Sequence, residues 1–222
     1  MDKTRLFDYL EKRNMDEVLG LLRSAYDKMN TKQRVSVFGQ FYDAIPRTAV
    51  HGETLFNEIG KFYQESLAGE YYAPFEIDSK NFMDIPEETE EWFDRLGEFL
   101  ESSIALSEQA EHSIAIKCFG LLYELILEME EGDEIVFAHE LGSWMIPGGE
   151  KNSINAYFRS LSLSSSPEEF TKATLPLIRR DSYFSFADKV CSSARRMANK
   201  EQRAYLNKEI KRQNIETSPR KG

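Results

Sequence analysis

Residues 114–129 read IAIKCFGLLYELILEM, and their apolar side chains recur at helical spacing on more than one face. Ala115, Cys118, Phe119, Leu122, Ile126 and Met129 form one stripe, with Ile114, Ile116, Leu121, Tyr123 and Leu125 to its sides. A helix that is apolar beyond a single stripe must be covered by neighbours on two sides, so this segment, about Glu111 to Glu131, is expected at the centre of a helical core. It is no membrane span, because Lys117, Glu124 and Glu128 interrupt a run that would need roughly 18 apolar residues.

Working outward, the flanking segments carry single stripes that need such a centre. Upstream these are Met15, Val18, Leu19, Leu22, Tyr26 and Met29, then Val35, Phe38, Phe41, Tyr42 and Ile45, then Leu55, Phe56, Ile59, Phe62 and Tyr63, then Trp92, Phe93, Leu96, Phe99, Leu100 and Ile104. Downstream, Gly132 ends the central helix and Asp133 suits the N-cap of a short helix through Ile135, Val136, Phe137, Ala138 and Leu141. Further stripes follow at Ile154, Tyr157, Phe158 and Leu161, at Phe170, Leu175, Leu177 and Ile178, and at Tyr183, Ala187, Val190, Cys191, Ala194 and Met197. A last helix has Tyr205, Leu206 and Ile210 to bury.

Start signals agree with these stripes. Asn14 with Glu17 and Asn199 with Gln202 have capping-box spacing, and Ser166, Pro167, Glu168 and Glu169 give an N-cap serine, proline at the first helical position and then acids. The fold expected is all-α with about ten helices, arranged as a helical-repeat, solenoid-like array or as a two-lobed bundle. The starts at Asp133, Ser166 and Asn199 recur every 33 residues, a helical-hairpin length, although the small and aromatic residues of a tetratricopeptide repeat are not at their places. The long stretch containing YYAPFEI suggests a division into a 1–69 lobe, a 70–85 connection, an 86–215 lobe and a 216–222 tail that frays.

The chain has 222 residues, and Leu, Ile, Val and Phe supply 55 of them, enough for a core of its own. Its two cysteines, Cys118 and Cys191, make neither a disulfide framework nor a four-cysteine zinc site; both lie on apolar stripes as small core residues. With no apolar secretory segment at the start, the expected location is a reducing cytoplasm, with no membrane partner.

Charge is divided unevenly. Against an overall 28 basic and 38 acidic residues, net -10, the stretch from Arg179 to Gly222 holds 12 basic and 5 acidic residues, net +7, leaving -17 on residues 1–178. Arg195, Arg196, Lys200 and Arg203 lie within a few turns of one another and are candidate partner-binding residues. Trp144 joins them, because the GSWMIPGG loop of residues 142–149 can present an aromatic outward. Docking of the basic end onto the acidic body competes with any external polyanion.

Enzyme signatures are sparse. There is no Walker A sequence and no GxGxxG; His139 and Glu140 start like HExxH, but position 143 is Ser. None of His51, His112 and His139 has a Glu three residues before it. A carboxylate group around a helix end, with Glu131, Asp133 and Glu134 as weak metal candidates, has a simpler role in capping and dipole stabilisation. Glu130 and Glu131 stand unfavourably at a helix C-terminus, where a hard cation would relieve their repulsion. The function expected is therefore non-catalytic, cofactor-free binding of another protein. The alternatives are a carboxylate-metal enzyme, and nucleic-acid binding through the basic C-terminal helices.

Overall fold

The structure, a computed structural model, describes residues 3–30, 33–34, 36–38, 50–76, 81, 84–132, 134–137, 142, 145–183, 187–215 and 217, with the backbone alone at 3, 16, 27, 181–183 and 187–189. The fold is all-α: among the described residues there are nine full helices and no strand. Contacts group the chain into two compact units, 1–48 and 49–222. The sequence reading placed its joint at 70–85; the contacts group the helix before that stretch with those after it.

The first unit contains α1 (Lys3–Leu10) and α2 (Met15–Asp27). Asn14 caps α2 by accepting a hydrogen bond from the backbone N–H of Glu17 at 2.8 Å. Tyr26 lies against Phe38 with ring centroids 5.5 Å apart. The second stripe's Val35, Phe41, Tyr42 and Ile45 lie outside the described residues.

The second unit holds α3 (Gly52–Leu67), α4 (Glu87–Glu108), α5 (His112–Glu131), α6 (Glu150–Ser164), α7 (Pro167–Tyr183), α8 (Ala187–Met197) and α9 (Lys200–Arg212). The segment IAIKCFGLLYELILEM forms most of α5, which packs on α3, α4, α6 and α7. Cys118, Phe119, Leu122, Leu125, Ile126 and Met129 are fully buried. Burial pushes the Cys118 thiol up to about 11, so it stays protonated and inert at neutral pH. The α3 and α4 stripes meet α5 through Ile59, Phe62, Trp92, Phe93 and Leu96, all essentially without exposure. The Trp92 indole N–H donates to Ser66 Oγ at 2.9 Å, which satisfies its polar edge in this core.

Helix ends obey local chemistry. α3 closes on Gly69, at φ +76°, with Gly69 N–H donating to the Ser66 carbonyl and Glu70 N–H to that of Glu65; this left-handed cap favours glycine. α4 closes the same way on Ala110, at φ +63°, where the side chain makes the conformation costly. Ser166 and Glu169 at the start of α7, and Asn199 and Gln202 at the start of α9, form reciprocal capping boxes. Gln202 also ties α9 to α6, its side-chain amide Nε2 donating to the carbonyls of Ser162 and Ser165.

Residues 134–137 differ from expectation. They form turns and a bend where a helix was predicted. Ile135 and Val136 are buried, the Phe137 ring meets Phe75 at 5.2 Å, and the Thr89 hydroxyl donates to the Phe137 carbonyl at 3.0 Å. Tertiary burial and an outside donor thus replace the local helical bonds. Asp133, residues 138–141, Ser143 and Trp144 lie outside the described residues.

Candidate partner-binding surfaces

The basic end is two helices rather than one, because α8 stops at Met197 and Asn199 caps α9. Arg196 and Arg203 are exposed but spend donors locally. Arg196 Nη2 reaches Asn155 Oδ1 at 3.2 Å and Ser193 Oγ at 3.0 Å, while Arg203 Nη2 donates to the Ala198 carbonyl at 3.0 Å. Lys200 is exposed at the first position of α9.

Arg195 is placed differently. Its Nε donates to Asn207 Oδ1 at 2.9 Å, and it lines an open groove of about 720 Å³ with Asn207, Ile210, Lys211, Asn214, Ile215 and Thr217. None of Arg196, Lys200 and Arg203 lines that groove. Sequence reasoning missed Asn207, Lys211 and Asn214, although positions 207, 210, 211 and 214 share one helical face.

One expected partner of an ion is supplied by the protein itself. Arg180, on α7 and only 9% exposed in its side chain, reaches Glu130 at the end of α5 and Glu150 at the start of α6. Its Nη2 donates to Glu130 Oε1 at 2.8 Å and to Glu150 Oε2 at 2.9 Å, and its Nη1 to Glu150 Oε1 at 2.7 Å. Burial alone would lower the guanidinium pKa, but the bonds and charges of Glu130 and Glu150 outweigh it and hold Arg180 charged. Arg180 thus compensates Glu130, one of the two acids, Glu130 and Glu131, whose place at the α5 C-terminus suggested a cation.

Of the metal candidates, Glu131 and Glu134 are exposed, and Asp133 lies outside the described residues. Among the described residues no three His, Cys, Asp or Glu side chains are placed to share an ion.

A chain of side chains foreign to the sequence reading joins three helices. Ser107 donates to the Ala156 carbonyl at 3.3 Å, Ser160 donates to Ser107 at 2.8 Å, and His112 Nδ1 lies 3.2 Å from Ser160 Oγ. With its own proton given to Ser107, Ser160 accepts from His112, so the imidazole carries hydrogen on Nδ1. A nucleophile needs the reverse, a histidine that accepts the serine proton, and Ser160 is buried. The trio is a structural tie between α4, α5 and α6.

The first unit presents another surface. Met15 is 71% exposed and Leu21 55%, and Leu6, Phe7, Tyr9, Leu19 and Leu22 are also exposed. In the second unit, Leu67 and Leu163 are the large apolar side chains exposed among the described residues. No described helix is long and apolar enough to cross a membrane. The chain matches no family model, no curated protein and no solved structure.

Proposed function

We propose that this chain is a non-catalytic helical interaction protein that binds another protein through its N-terminal helices. The observation that carries the reading is the exposure of Met15, Leu19 and Leu22 along α2, at spacing i, i+4 and i+7. Such anchors on one helix face suit insertion into an apolar groove, and a clustered apolar surface is costly to leave in water. The second unit, with its own core, supplies a rigid body for such a module.

The test is capture of partners from the native cell by the intact chain and by a variant carrying Met15→Ser, Leu19→Ser and Leu22→Ser. Partners captured by the intact chain should bind the variant at least about tenfold more weakly, as expected for loss of central apolar anchors. An unchanged set of partners at unchanged affinity would refute the reading.

A further inference from the structure

We propose that the groove on α9 is a binding site for an acidic peptide, whose carboxylate pairs with Arg195 and Lys211 while an apolar side chain lies on Ile210 and Ile215. The site is separate from the α2 face and does not depend on it.

The groove is held in shape by its own helix end. Asn214, at φ +51°, donates its N–H to the Lys211 carbonyl at 3.2 Å, and Ile215 N–H donates to the Ile210 carbonyl at 3.1 Å. This cap packs Ile215 against the core beside Ile210 and occupies two carbonyls whose partial charge would oppose an anion. Its cations are not neutralised: among the described residues the two terminal nitrogens of Arg195 and the Lys211 ammonium have no hydrogen-bond or ion-pair partner. Asn207 holds the guanidinium at Nε, which leaves the Nη pair directed for a carboxylate. A peptide fits better than a nucleic acid. The lining has two isoleucines and two carboxamides but no aromatic platform for bases, and the net charge of -10 repels a long polyanion.

The experiment is fluorescence anisotropy on the full chain with three labelled probes: a short peptide alternating Glu and Leu, the same peptide with Gln for Glu, and an oligothymidylate. The Glu peptide should bind saturably and at least about tenfold more tightly than the Gln peptide, and Lys211→Gln or Arg195→Gln should each weaken it about tenfold, as for loss of a charged hydrogen bond. Lys211 is exposed, so its variant keeps the fold even if Arg195→Gln does not. Lys172→Gln, outside the groove, and the triple serine variant of α2 should bind as the unaltered chain does. The proposal is overturned if the Glu peptide does not bind, if it binds no better than the Gln peptide, if Lys211→Gln leaves its affinity unchanged, or if the oligothymidylate is the probe that the groove residues hold.

Discussion

α2 and α5 repeat apolar residues at the same helical spacing, yet Met15, Leu19 and Leu22 lie exposed while Cys118, Phe119, Leu122 and Ile126 are fully buried. Periodicity therefore reports that a helix has an apolar face, not that its own chain covers that face. What separates the two is the number of faces. α5 is apolar around most of its circumference and draws α3, α4, α6 and α7 onto it, whereas α2 carries one stripe. The second unit buries its apolar stripes in one core, whereas Met15, Leu19 and Leu22 on α2 stay exposed.

The comparison breaks most easily at Phe119. Phe119→Ala should cost about 3–5 kcal/mol in urea unfolding, because a fully buried ring leaves a cavity, while Leu22→Ala should change stability by about 0.5 kcal/mol or less. Equal losses would mean that α2 is as much part of a core as α5.

A somewhat smaller effect is expected at Arg180, which is buried in a three-way bridge with Glu130 and Glu150. Arg180→Met should cost about 3 kcal/mol, since it leaves Glu130 and Glu150 facing each other without compensation. Adding Glu130→Gln should recover part of that loss. If Arg180→Met is neutral, the bridge does not hold the ends of α5 and α6 together.

The smallest effect concerns pH. The Ser166 backbone N–H and hydroxyl bond Glu169 and hold its carboxyl below the ordinary carboxylate range. A folded pKa below the unfolded one contributes stability that is complete above the unfolded value and is lost as pH falls through the folded value. Glu169→Gln should thus lower stability slightly at neutral pH, leave it unchanged below the folded pKa and so flatten the acid side of the profile, as followed by melting temperature between neutral and acid pH. An unaltered acid slope would contradict the cap's contribution.

Local signals account for what the sequence made legible. The breadth of the apolar surface at 114–129 placed α5 at the centre, and the spacing of Asn14 with Glu17 and of Asn199 with Gln202, together with the run Ser166, Pro167, Glu168 and Glu169, located three helix starts. Long-range partners were not legible. Nothing near Ile135 or Val136 revealed that Thr89 would take the Phe137 carbonyl and that turns would replace a helix there. Arg180 read as one of a series of basic residues, yet it is the cation demanded by Glu130, brought from 50 residues away. Within the basic end, counting charges did not separate Arg195, oriented by Asn207, from Arg196 and Arg203, which bond to their own surroundings.

The contrast between covered and uncovered faces is tested most directly by amide hydrogen exchange on the full chain, read helix by helix. Buried helices exchange through global unfolding and exposed ones through local opening. The amides of α5 should be the slowest in the protein, and those of α2 should exchange at least about a hundredfold faster, a gap expected between global and local opening. Protection of α2 equal to that of α5 would show that its apolar face is already covered within the chain, and would contradict the account.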